Sequence, residues 1–175
     1  MPETANASLS DLRVRSVSCT PVEVPLRYVL GTSAATIRAA PLLLVELLTE
    51  QGVTGRAYIF CYRRSAAKPI AALIEDACEL VRGDRVAPGP IAAKVERRFA
   101  LIGVTGLVRM ALSAFDMALW DALAAAAGAP LATLLGATPR PVRVYNSCGL
   151  GLMSPQAAAD EAQALAHGAR CSPRA

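Results

Sequence analysis

The order of elements predicts an α+β chain: a three-stranded antiparallel meander, three helices, and then a β–α unit of the kind that begins a β/α barrel. Three observations carry that class. Two strand-like runs, PLLLVELLTE (41–50) and VTGRAYIFCY (53–62), flank a turn at Glu50-Gln51-Gly52. The stretch GLVRMALSAFDMALWDAL (106–123) is apolar on nearly every side, has no Gly or Pro after Gly106, and carries only Asp116 and Asp121 as charges after Arg109. A helix apolar all round is normally enclosed on all sides. Finally, PVRVYNSCG (141–149) reads as a strand, and Ser154-Pro155 caps and opens an Ala-rich helix that runs to about Gly168.

The remaining elements follow in chain order. Residues 1–10 are polar and expected to form a disordered tail. Leu12 to Leu26 suits a strand, with Val14, Val17, Val22 and Val24, while Pro21 and Pro25 mark an edge or an irregular exit. LRYVLGTSAATIRAAP (26–41) is rich in small residues and without period, which reads as a long loop; loops of that length in compact domains are often functional. Pro69 is suited to the first position of a helix whose Ile70, Leu73, Ile74, Ala77, Leu80 and Val81 recur at helical spacing up to Gly83. After a Pro-Gly-Pro turn at 88–90, Ile91, Val95, Phe99 and Ile102 mark a second helix, with Lys94, Glu96, Arg97 and Arg98 on its other faces. The central helix opens at Thr105-Gly106 and ends near Gly128, and PLATLLG adds a short helical turn.

Composition narrows the function. The chain has 175 residues, enough for a real core, and 54% of them are hydrophobic. Its charged share of 18% is below the usual share of about 25%. The net charge is +4, but the basic residues are scattered and only 5% of residues are aromatic, so the footprint of a nucleic-acid binder is lacking. Five cysteines (Cys19, Cys61, Cys78, Cys148, Cys171) and one histidine, His167, are too dispersed for a zinc site. They read as free thiols in a reducing compartment. The N-terminus lacks the apolar core of a signal peptide, and no apolar run is read as reaching transmembrane length. A cytoplasmic protein, with neither membrane nor nucleic acid as partner, is expected.

The motif ALSAFDMALWDALAAAAGAPLATLLG (111–136) combines small residues, two acids, Gly-x-Pro-Leu and Leu-Leu-Gly. With VTGRAYIFCY and GVTGLVRMA (103–111), it resembles the mandelate racemase and muconate-lactonizing enzyme family of the enolase superfamily, and its mandelate racemase branch in particular. The resemblance runs over about residues 12–170. It implies an enolase-type N-terminal capping domain at 11–138, closing over a (β/α)7β barrel whose first β–α unit occupies 139–175. The family abstracts the proton next to a carboxylate, with magnesium stabilising the resulting enolate. A racemase or dehydratase acting on 2-hydroxy acids, homo-oligomeric when full-length, is therefore implied.

By position, Leu30, Ala34 and Ile37 match the cap loop that walls the substrate pocket, Tyr62 a pocket-facing tyrosine at the end of the third strand, and Ser147 a polar substrate contact at the end of the first barrel strand. A packed loop accounts for Leu30, Ala34 and Ile37 equally well; for Tyr62 and Ser147 the ends of strands face barrel active sites. Asp116 and Asp121 look like paired carboxylates, yet five residues apart on a helix they point about 140° from each other. Structural roles, such as capping a loop or pairing Arg109, are the expectation.

The family's catalytic groups are missing from these residues. Magnesium takes about six oxygen ligands, which the family draws in part from acids on successive barrel strands; its bases are a Lys-x-Lys pair and a His–Asp pair. Here the only lysines are Lys68 and Lys94, and the sequence after Gly168-Ala169-Arg170 reads Cys-Ser-Pro-Arg-Ala. A truncated, catalytically inactive chain without bound magnesium is expected. The alternative is a non-catalytic remnant or interaction module that docks through helix 106–123. If Met110, Leu112, Phe115, Met117, Leu119 and Trp120 were left wet, each large side chain would forfeit about 1.5–3 kcal/mol, and the isolated chain should aggregate or associate.

Overall fold

The computed structural model describes residues 11–31, 35–143 and 151–168. Its elements are β1 (Val14–Gly31), β2 (Thr36–Thr49), β3 (Thr54–Phe60), α1 (Arg64–Val81), α2 (Pro88–Phe99), α3 (Gly106–Ala127), α4 (Leu131–Leu134) and α5 (Pro155–Gly168). The sheet has the order β1-β2-β3, with β2 and β3 antiparallel from Leu42↔Phe60 to Leu48↔Thr54. The chain divides into two compact units: Met1–Val22 with Pro41–Pro139, and Glu23–Ala40 with Arg140–Ala175.

In the first unit, period-two alternation puts Leu43, Val45 and Leu47 of β2 into the core while Leu44 and Glu46 face outward. Thr49 ends β2 and is fully buried. Its hydroxyl accepts from Val53 N–H (2.9 Å) and donates to Val53 C=O (3.0 Å), while Gly52 takes the left-handed φ of 80° that the turn requires. Residues 83–86 lie along the start of β1: Val14 N–H donates to Asp84 C=O, and Val86 N–H to Leu12 C=O.

The helices complete the core. α1 buries Ile70, Ile74, Ala77 and Val81 on one face, as the spacing predicts, but it starts five residues before Pro69. Pro69 therefore lies inside the helix and not at its head. It sits on the exposed side, where water can satisfy the carbonyl its missing N–H leaves free. The Pro-Gly-Pro stretch is likewise no separate turn: Pro88 is the first residue of α2, where the absent N–H costs nothing. α2 ends at Phe99, so Ile102 falls outside it.

α3 packs on β3, α1 and α2. Ala111, Ala114, Ala118 and Ala122 are fully buried, and Gly128 closes the helix with φ 60°. Leu112, Phe115 and Leu119 are buried as well, so the exposure expected for them does not arise. Of the six large side chains named above, Met117 is exposed (44%), and Met110 and Trp120 are half-buried. By length and composition α3 could cross a membrane, contrary to the reading that no apolar run is long enough. Here it is a core helix.

The seam between α3 and β3 is the tightest in this unit. A Cβ on Gly55 would lie 2.0 Å from the Ala118 carbonyl oxygen and 2.8 Å from Ala122 Cβ. One residue on, Asp121 Oδ2 accepts from the Arg56 backbone N–H at 2.7 Å. Arg56 also pairs across the strands with Glu46 (3.1 Å).

In the second unit, the stretch 26–41 departs most from expectation. It is mainly strand, not loop, with β1 reaching Gly31 and β2 starting at Thr36. Small residues carry no apolar period, yet they fit an extended ladder without obstruction. Residues 141–143 have no regular structure, and 144–150, the rest of the expected strand, lie outside the described residues, as does the expected tail at 1–10. α5 is capped as expected: the Ser154 hydroxyl accepts from Ala157 N–H at 3.3 Å.

Candidate functional site

The second unit contains the described part of the expected pocket wall. Leu30 is the penultimate residue of β1 and is 39% exposed; Ile37, second in β2, is half-buried. They flank the connection 32–35, which holds Ala34. Ala34 and Ser147 lie outside the described residues. The chain returns beside this strand end: Leu152 N–H approaches Gly31 C=O at 3.4 Å, and a Cβ on Gly151 would sit 2.7 Å from Gly31 N. Backbone can meet backbone that closely only because both positions are glycine. Val29, Leu30, Leu152 and Met153 are all exposed, so the strand end and the returning segment both offer apolar surface.

Leu152 and Met153 escaped the sequence reading. Their signal was the Gly-Leu-Gly-Leu-Met run at 149–153, of which Gly151 permits the close approach.

In the first unit, Tyr62 lies two residues past the end of β3 and not within the strand as expected, and it is 68% exposed. Its φ of 60° is the one positive value at a non-glycine among the described residues. Such a backbone costs on the order of 1 kcal/mol and turns the chain sharply from β3 toward α1. The ring stands edge-on to Phe60, with centroids 4.7 Å apart at 79°. Sequence alone gives no sign of that backbone state.

The two acids of α3 do not work together. Asp121 is committed to the Arg56 N–H. Asp116 lines a cleft of about 270 Å³ between α2 and α3, together with Ile91, Val95 and Ser113, and burial pushes its carboxyl above the ordinary value. Arg109 also lines that cleft but pairs with Glu96 (2.6 Å), so the expected pairing of Arg109 with an acid of α3 gives way to one with α2. Cys19, Cys61 and Cys78 are free thiols, and burial raises the pKa of each, to about 11 for Cys19 and Cys78.

The N-terminal domain profile of the mandelate racemase / muconate lactonizing enzyme family matches residues 14–136, the span of the sheet and of α1 to α4. The chain belongs to this family. Its three-stranded sheet and helices are the capping domain of enolase-superfamily structures. An L-talarate/galactarate dehydratase from Salmonella typhimurium is 32% identical over 114 residues, which make up 65% of this chain and 29% of that protein. An enolase from alpha proteobacterium bal199 with bound magnesium superposes with a TM-score of 0.85 at 40% identity, covering 91% of this chain and 44% of its own. An enolase from Bradyrhizobium complexed with magnesium and mandelic acid gives 0.81 at 34% identity, covering 93% and 44%. The chain thus spans less than half the length of each of these relatives.

Magnesium in those two structures raises the question of a site here. Among the described residues, no three His, Cys, Asp or Glu side chains gather into a metal-binding group. Magnesium needs about six oxygens, usually including one or two carboxylates. The described residues do not assemble such a site.

Proposed function

We propose that this chain is the substrate-shaping N-terminal part of a mandelate racemase-like, magnesium-dependent enzyme. The reaction is proton abstraction next to the carboxylate of a 2-hydroxy acid, leading to racemisation or dehydration. Residues 11–138 form the capping domain, and 139–175 open the barrel. Leu30, Ala34, Ile37, Tyr62 and Ser147 contact substrate. On this reading the chain alone binds no magnesium productively and turns nothing over. The free thiols suit a reducing cytoplasm.

The observation that carries this reading is the end of the β1–β2 hairpin. Its apolar Leu30 and Ile37 flank residues 32–35, and Gly151-Leu152 lie against Gly31. Apolar side chains at that point favour an aromatic or aliphatic substituent, such as the phenyl ring of the mandelic acid held by the Bradyrhizobium relative. A polyhydroxylated acid would need donors and acceptors that Leu30 and Ile37 do not supply.

Proton exchange at C2 of mandelate in D2O with magnesium tests the reading. The chain alone should give no exchange above buffer. A hybrid joining residues 1–143 to the remainder of the Bradyrhizobium relative should exchange the proton, and Leu30→Arg in that hybrid should lower kcat/KM by about tenfold or more. Exchange by the chain alone, or an unaffected Leu30→Arg hybrid, would count against it.

A further inference from the structure

Arginines far apart in number meet where the start of β1 runs beside the segment after α1. Arg13 stands opposite Arg85 in an isolated antiparallel bridge. The flanking hydrogen bonds run from Val14 N–H to Asp84 C=O (3.0 Å) and from Val86 N–H to Leu12 C=O (2.8 Å). They make Arg13 and Arg85 a non-hydrogen-bonded pair, the kind whose side chains stand closest. Such side chains leave the same face with Cβ atoms about 5 Å apart. That face is the outward one: Arg13, Arg15 and Arg85 are exposed, while Leu12, Val14 and Val86 beside them are buried. Like charges set directly opposite destabilise a ladder. Among the described residues no ion pair relieves these three. The Arg13 guanidinium donates to Gly83 C=O (2.8 Å), a neutral acceptor that steadies the side chain and leaves its charge in place. Nearby acids are engaged elsewhere, Asp84 with Lys94 (2.7 Å) and Glu79 with Arg82. Two exposed acids border the patch: Asp11 on the same strand face, and Glu50, whose N–H donates to Arg13 C=O.

We infer that Arg13, Arg15 and Arg85 form a binding site for a compact dianion, the phosphate monoester of a small molecule. A guanidinium presents its donors as a planar fork that matches phosphate oxygens two at a time. One phosphate monoester carries nearly two negative charges and three acceptor oxygens, enough to face the opposed pair and Arg15 together. A phosphodiester carries a single charge per phosphate and leaves the opposition half relieved. An extended polyanion would also run onto the carboxylates of Asp11 and Glu50, which confines the site to a small ligand. The three arginines belong to the first unit, whereas Leu30 and Ile37 belong to the second. The inference therefore does not rest on the proposed function.

Isothermal titration calorimetry of the full chain with inorganic phosphate tests the inference, at low ionic strength and about pH 8 so that the dianion prevails. The expected result is saturable binding at one site. Dimethyl phosphate, a monoanionic diester, should bind about tenfold more weakly or worse. Arg85→Gln and Arg15→Gln should each weaken phosphate binding by about tenfold. Both side chains are exposed, so thermal melts by circular dichroism should match the parent. Arg97→Gln removes an exposed arginine of α2 and should leave phosphate binding unchanged. Failure to bind phosphate saturably overturns the inference. So does a diester that binds as well as phosphate, which would point to a nucleic acid or lipid surface, or a loss from Arg97→Gln as large as that from Arg85→Gln, which would reduce the effect to net charge.

Discussion

The α3–β3 seam and the end of the β1–β2 hairpin both use glycine to bring backbone close to its neighbour, but they serve opposite ends. At the seam, Gly55 lies under Ala118 and Ala122, all of it buried, with Asp121 fastening the Arg56 N–H alongside. At the hairpin end, Gly31 meets Gly151 and Leu152 while the large side chains around them stay exposed. One region spends its apolar side chains on stability; the other keeps them at the surface.

The contrast can be broken first at the seam. Gly55→Ala pushes a methyl group into helix backbone and should cost about 3 kcal/mol, read from chemical denaturation; a loss under about 1 kcal/mol would mean that α3 can slide away. Asp121→Ala should cost less, about 1 kcal/mol, because the Arg56 N–H is near enough to the surface to find water. The buried thiols give a further test, through their titration. Cys19 and Cys78 hold their protons to about pH 11 in the folded chain, against about 9 when unfolded. The folded state therefore binds more protons between those values, and stability from this source is full below about pH 9 and lost as pH rises through 11. Both should also alkylate more slowly at pH 8 than a free cysteine, which mass spectrometry would detect. At the hairpin end, Leu30→Ala should move the melting midpoint least of all, within about 0.5 kcal/mol. A larger loss would make Leu30 part of the frame, contrary to its exposure.

The sequence made the frame legible wherever burial follows a period. Leu43, Val45 and Leu47 alternate, Ile70, Ile74 and Val81 recur at helical spacing, and both lie in the core. It misled where residues are small or cyclic. The 26–41 stretch lacks a period because Gly, Ala, Ser and Thr carry little apolar signal, yet most of it pairs as strand. Pro69 and Pro88 read as local punctuation, whereas Pro69 lies inside α1 on its exposed side and Pro88 opens α2 as its first residue. Apolarity all round α3 hid how its faces are divided. Its alanines allow the close approach to β3, while Met117 faces outward.

For the site, the sequence singled out Leu30 and Ile37 as loop residues, whereas they lie at the end of β1 and the start of β2, and it singled out Tyr62, which lies just past β3. What it could not give is geometry set by distant backbone: the left-handed turn at Tyr62, or the return of Gly151 to Gly31. Gly151 allows the second approach without saying which distant segment it meets, and nothing in the sequence marks the first.

The carboxylate of Asp121 has one more consequence. β3 is a border strand, and the Arg56 amide is a donor that an incoming chain could use to extend the sheet. With that donor already occupied from the helix side, the margin offers no continuous ladder for a foreign strand to template on. The same bond that joins helix to sheet thus makes this margin a poorer template for edge-to-edge polymerisation.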